Sequence, residues 1–190
     1  LLAAGLGGCY VPLRFDAEAV LTRQGFYTLS YSGQIAWLPL VDDLRERRLS
    51  PVEERQKAER ITADLARDSA ARSVRYLRDG VFDLDWRKSG DLFAARMVSF
   101  LRRNESILTL KYIKDTGLAT LEGRSLTPAD AGRATGYRVE VRGQLKVKTD
   151  ARVIDHNATR VVAIGPGEQI YVWTVNGPYE PPPRMVVDLR

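Results

Sequence analysis

A period of two in the apolar residues, broken repeatedly by glycine, proline and asparagine, is the strongest constraint on how this chain folds. Phe82, Leu84 and Trp86 alternate with Asp83 and Asp85, and the run Ile107 to Lys114 puts Leu108, Leu110 and Tyr112 on one face. Tyr137, Val139 and Val141 alternate with Arg138, Glu140 and Arg142; beyond Gly143, Leu145 and Val147 alternate with Lys146 and Lys148. Side chains of a strand point to opposite faces in turn, so each run reads as a half-buried strand, and the pair about Gly143 reads as a hairpin. Val161 to Ile164 and Ile170 to Val175 flank Gly165-Pro166-Gly167, and Met185 to Leu189 follows Pro181-Pro182-Pro183. Between Phe26 and Leu40, Ser32-Gly33 predicts a turn between two short strands, with Pro39 at a strand end because it cannot donate to a ladder. Asp91 to Arg103 suits a helix or a strand equally. About eight to ten strands at this spacing predict a predominantly β, α+β fold, an antiparallel sandwich or barrel.

One segment departs from that period. Ser50-Pro51-Val52-Glu53 supplies an N-cap, a proline at the first helical position and a glutamate three residues after the cap, the signature of a capping box. Ala58, Ile61 and Leu65 then recur at helical spacing on a narrow stripe among charged residues. A single amphipathic helix inserted near residues 50–72, lying on the surface with one face packed, is expected.

Composition narrows the chemistry. One Cys and one His in 190 residues exclude an internal disulfide, a Cys-rich zinc site and any multi-histidine metal centre. No run approaches the ~20 apolar residues of a membrane-spanning helix. The formal net charge is +5.

The lone Cys closes the run Leu1 to Cys9, which carries no charge; the first comes at Arg14. Leu6-Gly7-Gly8-Cys9 resembles the lipobox of bacterial lipoproteins, a Leu and two small residues before the Cys that is acylated and becomes the first residue of the mature chain. The resemblance covers about nine residues. It implies that residues 1–8 end a signal peptide, that Cys9 is lipidated with fatty acyl groups such as palmitate, and that the protein sits in a bacterial cell envelope. Tyr10 stands where an Asp would retain such a protein in the inner membrane, which implies the outer membrane, facing the periplasm. On this reading residues 9–24 are lipid anchor and tether, and 25–190 are one β-rich domain with a helical insertion.

Few residues suggest reaction chemistry. Asp155-His156 pairs a carboxylate with an imidazole, yet neighbours on an extended chain point apart, so a polar turn with Asn157 is expected. Asp83 and Asp85 would share a strand face ~7 Å apart, close to the carboxylate spacing of an inverting glycosidase. That face is opposite Phe82, Leu84 and Trp86, which predicts a solvated stripe. Arg138, Arg142, Lys146 and Lys148 would form one basic face suited to an anionic partner. Gly165-Pro166-Gly167 lacks the Lys and Ser/Thr of a phosphate loop. Tyr179 to Pro183 reads as a stiff connector or a polyproline ligand. No metal, cofactor or nucleic acid is expected. The expected role is non-enzymatic: a lipid-anchored binding or scaffolding subunit with the membrane and an envelope protein as partners. The alternatives are a lipocalin-like carrier of a small apolar ligand and an envelope hydrolase using Asp83 and Asp85.

Overall fold

The computed structural model describes residues 10–101 and 105–190; the lipobox-like run and Cys9 lie outside them. Where a tether was expected the chain forms a strand. β1 (Tyr10–Leu21) pairs along its length with β2 (Phe26–Trp37), and it is a central strand of the larger sheet. β2 is also continuous, so Ser32 and Gly33 do not turn the chain. There follow α1 (Leu38–Arg45), α2 (Pro51–Leu65), β3 (Ala71–Arg78), β4 (Val81–Asp91), α3 (Leu92–Ala95) and β5 (Met97–Phe100). The chain continues through β6 (Leu108–Ile113), β7 (Leu118–Gly123), α4 (Pro128–Gly136), β8 (Gly143–Thr149) and β9 (Arg152–His156). It ends with β10 (Arg160–Gly165), β11 (Glu168–Val175) and β12 (Arg184–Asp188).

One sheet has seven strands in the order β10-β11-β8-β1-β2-β4-β3, the other five in the order β5-β6-β7-β12-β9. All pairs are antiparallel except β1 with β8. The fold is a β-rich α+β sandwich; among the described residues neither sheet closes into a barrel. The core lies between the sheets. Phe100 of the smaller sheet stacks on Tyr31 of the larger at 4.4 Å between ring centroids and meets Trp86 at 5.1 Å. Leu84, Leu145 and Val147 on one side and Leu110, Leu121, Met185 and Val187 on the other complete this cluster.

α2 begins as its cap residues dictate. Ser50 N–H donates to Glu53 Oε2 at 2.7 Å, and Glu53 N–H donates to Ser50 Oγ at 3.3 Å. The helix stops at Leu65, short of residue 72, because Asp68 turns the chain into β3. Its carboxylate accepts the Ala70 N–H and the Trp86 Nε1–H, so the turn is tied to β4. Ala58 and Leu65 join the inter-sheet cluster, and the Tyr76 hydroxyl of β3 donates to Glu54 of α2.

The hairpin expected across Gly143 does not form. Tyr137–Arg142 is an irregular segment that follows α4, and β8 pairs instead with β1 and β11. α4 has a strong local start, with Thr127 Oγ1 accepting the Asp130 N–H and Pro128 in the first turn. A strand cannot begin until the chain leaves that helix, and Arg138 does so at φ 54°. Tyr137, Val139 and Val141 pack against a second apolar cluster of Val11, Leu13, Ala36, Leu38, Val41 and Ala134. Their alternation reflects burial in a loop, not a strand. α1 and α4 are stapled over it by Arg133, which donates to both Asp42 and Asp130, while Tyr137 donates to Asp42 at 2.6 Å.

A bulge in β1 divides the two clusters. The register against β2 slips between Leu13 and Phe15, where Arg14 has φ 31°. Val11 and Leu13 therefore face α1 and α4, while Phe15, Ala17, Ala19 and Leu21 face the other sheet. Two glycines make room for the bulge. A Cβ on Gly33, at φ 152°, would meet the Arg14 carbonyl at 2.5 Å, and one on Gly143 would meet the Phe15 carbonyl at 2.4 Å. Both distances are shorter than a Cβ and a non-bonded atom can approach.

Candidate functional site

The bulge also builds one wall of a cleft. By inserting one residue it places Tyr10 and Pro12 on the same side of β1 as Phe15 and Ala17. These four side chains line a cavity of about 100 Å³ between the sheets. Its floor is aromatic: Phe15 stacks on Tyr31 at 5.7 Å, and Phe100 and Trp86 continue the row. Burial pushes the Tyr31 phenol well above its usual range, and its hydroxyl donates to the Gln34 carbonyl at 2.6 Å. Ile107, Leu108, Leu126, Val141 and Val175 form the remaining apolar walls, with Arg124 and Glu180 as the charged groups of the lining.

A strap of residues 177–183 closes one side of this cleft. The expectation of a stiff connector into the last strand describes it well, since Pro181, Pro182 and Pro183 lead directly into β12. It is held at both ends. Glu180 accepts the Asn176 N–H at 3.0 Å, and Gly123 N–H donates to the Pro183 carbonyl at 2.8 Å. Asn157 is the main clasp. Its Nδ2 donates to the Pro182 carbonyl at 2.9 Å, while its Oδ1 accepts both Trp173 Nε1–H and Arg184 N–H at 2.7 Å.

The basic residues expected on one face of a hairpin fall in two segments, Arg138 and Arg142 in the irregular stretch before β8 and Lys146 and Lys148 on β8. Arg138 and Arg142 line a shallow hollow that adjoins the cleft through Val141, Gly177 and Pro178. Glu140 lies between them; it pairs with Arg142 at 2.9 Å and with Arg14 at 2.6 Å, which holds its carboxyl below the usual range. Lys146 and Lys148 stand on β8 instead, Lys146 beside Glu18 in the parallel register and Lys148 paired with Glu168 at 3.0 Å.

Asp155 and His156 point apart as expected of neighbours on an extended chain, but they are the last residues of β9, not part of a turn. Asp155 pairs with Arg184, whose guanidinium holds its carboxyl below the usual range, and His156 Nδ1 accepts the Ala158 N–H at 3.1 Å. The imidazole meets Tyr171 edge-on at 4.9 Å. Asp83 pairs with Arg75 at 2.6 Å on the face away from the core. On that same outer face Asp85 lines a polar hollow with Asp16, Glu18, Ser30, Ser32, Arg72 and Arg87. Each carboxylate therefore has a cation within its own neighbourhood, an arrangement of charge balance. Among the described residues no group of three or more His, Cys, Asp or Glu is placed to hold a metal ion. Among them, too, no helix is long and apolar enough to cross a membrane.

Sequence reasoning missed the cleft wall of Tyr10, Pro12, Phe15 and Ala17 and the Asn157 clasp. The alternation of Val11, Leu13, Phe15, Ala17, Ala19 and Leu21 was available as a strand signal. The bulge that redirects it was not.

No family model matches the chain, and no curated protein matches it in sequence. Among solved structures, it is similar to the NMR structure of the folded domain of LppM from Mycobacterium tuberculosis. That likeness has a TM-score of 0.49 at 14% sequence identity, over 94% of this chain and 90% of that one.

Proposed function

We propose that this chain is a lipid-anchored protein of a bacterial cell envelope that works by binding, without catalysis, and takes an apolar ligand between its sheets. The observation that carries the ligand is the aromatic cleft under the 177–183 strap. A site lined by apolar and aromatic side chains with a few charges at its margin is the usual form of a small-molecule pocket. Its size limits what enters. A dry apolar cavity of ~150 Å³ takes up a benzene, so about 100 Å³ suits a ring or the end of an acyl chain, not a whole lipid.

The anchor rests on the resemblance of Leu6-Gly7-Gly8-Cys9 to a lipobox, with Tyr10 favouring the outer membrane. β1 starts at Tyr10, so a lipidated Cys9 would hold the domain directly against the bilayer with no flexible spacer. The test has two parts. Intact mass and membrane partition of natively expressed protein, beside Cys9→Ala, read the anchor: an acylated, membrane-bound wild type and a soluble variant are expected. Binding of a fatty acid that carries a fluorescent dye at its carboxyl end, so that only the acyl end enters, beside Ala17→Phe, reads the cleft: saturable binding that weakens at least about tenfold in the variant is expected. An unprocessed soluble chain sinks the anchor, and absence of saturable binding sinks the ligand.

The scaffolding reading has one observation of its own. β10 is an edge of the larger sheet whose every residue is exposed, and beyond Arg160 it carries no charge. Val161, Val162 and Ile164 leave it open to an added strand from an envelope protein. Crosslinking from this edge in the envelope should capture one partner and lose it in Val162→Lys; capture unaffected by Val162→Lys would exclude this edge.

A further inference from the structure

The polar groups of the cleft differ between its floor and its margin. The aromatic floor has no hydrogen left to donate: the Tyr31 hydroxyl donates to the Gln34 carbonyl at 2.6 Å, and the Trp86 Nε1–H donates to Asp68 Oδ2 at 2.8 Å. A ligand group seated there must be apolar, because a polar atom buried without a partner is destabilising. At the margin stand Glu180 and Arg124. Glu180 is engaged, since its carboxylate accepts the Asn176 N–H at 3.0 Å and so holds the strap. Arg124 is fixed by its backbone, whose N–H donates to the carbonyl of Ile107, another wall residue, at 2.9 Å. Its guanidinium has no hydrogen-bond or ion-pair partner among the described residues. The adjoining hollow has an excess of the same sign. Arg14 and Arg142 share one carboxylate, that of Glu140, and the Arg138 guanidinium has no partner among the described residues.

We infer that the ligand of the cleft is a compact monocarboxylate, a ring or short alkyl group seated on Phe15 and Tyr31 with its carboxylate on the Arg124 guanidinium. This rests on the ligand-binding reading above and is independent of the lipid anchor. The planar fork of a guanidinium matches the two oxygens of a carboxylate. The ligand is compact because Arg124 belongs to the same lining as the floor, and the cavity they enclose holds about 100 Å³. It carries one charge because Glu180 in that lining repels a second, and because the floor offers a polar group nothing. A neutral hydrocarbon forgoes the contact with Arg124, and a dicarboxylate has to bury a charge against aromatic rings.

The experiment is competition, on the full chain, against the dye-labelled fatty acid that reads the cleft. The dye blocks the carboxyl of that probe, so its own binding does not depend on Arg124. Pentanoate should displace it at least about tenfold more tightly than the neutral analogue pentanol. Glutarate, which puts a second carboxylate at the buried end, should not displace it. In Arg124→Gln the gap between pentanoate and pentanol should shrink to less than about threefold, while continued binding of the labelled acid shows that the variant is folded. In Arg160→Gln, which removes a positive charge from exposed β10, the gap should remain. Equal displacement by pentanoate and pentanol, a gap that survives Arg124→Gln or is lost equally in Arg160→Gln, or displacement by glutarate as tight as by pentanoate overturns the inference and leaves the cleft a site for apolar groups alone. Failure of the labelled acid itself to bind overturns the cleft reading and the inference together, and is read before any competitor is added.

Discussion

Two parts of the same inter-sheet space are finished differently. Around Leu110, Leu121, Met185 and Val187 the side chains are no more than 2% exposed, and they stand on paired strands of the smaller sheet. Along Tyr10 to Ala17 the facing wall is made of strand ends and a proline strap, and a cavity remains. Both parts are apolar, so hydrophobicity does not separate them. What separates them is the element that supplies the facing side. Strands from a paired sheet interdigitate at close-packed density, whereas a strap with no ladder partners on most of its length covers without filling.

Truncation in the sealed part should have the largest effect. Leu110→Ala is expected to cost about 2–5 kcal/mol in chemical denaturation, from lost transfer energy plus an unrelieved cavity. Dye binding by the molecules that remain folded should not change. Enlargement distinguishes the two parts more directly. Ala119→Leu, in the sealed part, should cost about 1–3 kcal/mol through overpacking, while Ala17→Leu costs less than that and weakens dye binding. Equal costs at the two positions would mean that the cleft is as full as the core. Next comes the clasp. Asn157→Ala leaves the Trp173 indole N–H and the Pro182 carbonyl without their partner and should cost about 1–3 kcal/mol. Faster dye entry in stopped-flow is expected with it, because the strap is released.

The smallest effect lies away from the cleft, where α2 is held to β3. The Tyr76 hydroxyl donates to Glu54 and accepts from Gly80 N–H at 3.2 Å. Burial first, and then the bond to Glu54, pushes its pKa up to about 12 from an ordinary 10.0. The folded state thus holds this proton more tightly than the unfolded state. Its contribution is complete below pH ~10 and is lost as pH rises from there towards the folded value. Tyr76→Phe should therefore cost about 1 kcal/mol at pH 8 and progressively less above pH ~10, read from denaturation midpoints. A difference that is constant with pH would show that the ring, not the hydroxyl, matters.

Much of the sheet content was legible because strand alternation is local. Phe82-Leu84-Trp86, the 108–113 run and the hairpin about Gly165-Pro166-Gly167 all stand where their period puts them. α2 was legible to its first residue through Ser50 and Glu53, and misjudged at its end, where the stop is a bond from Asp68 to a tryptophan on another strand. Tyr137–Val141 misled for a related reason. Period two marks residues with alternate sides buried, and a loop wedged over Val11 and Leu13 satisfies that as well as a strand does. Arg138, Arg142, Lys146 and Lys148 were grouped as one basic face because a hairpin was expected; without it Arg138 and Arg142 stand in the irregular segment and Lys146 and Lys148 on β8.

β1 shows where the boundary runs. Its odd-numbered residues from Val11 to Leu21 are apolar, and by sequence alone they belong on one face. The chain by itself determined that this face would be buried, since burial follows from composition at alternate positions. Only the tertiary structure decided that it would be buried in two different places. The slip at Arg14 exists because Gly33 on one neighbouring strand and Gly143 on the other leave room for it, and both lie far from Arg14 in the chain. Local periodicity sets what a residue prefers to face. Pairing between distant strands sets what is there to be faced, and in this molecule it brings Tyr10, Trp86 and Pro183 around one cavity.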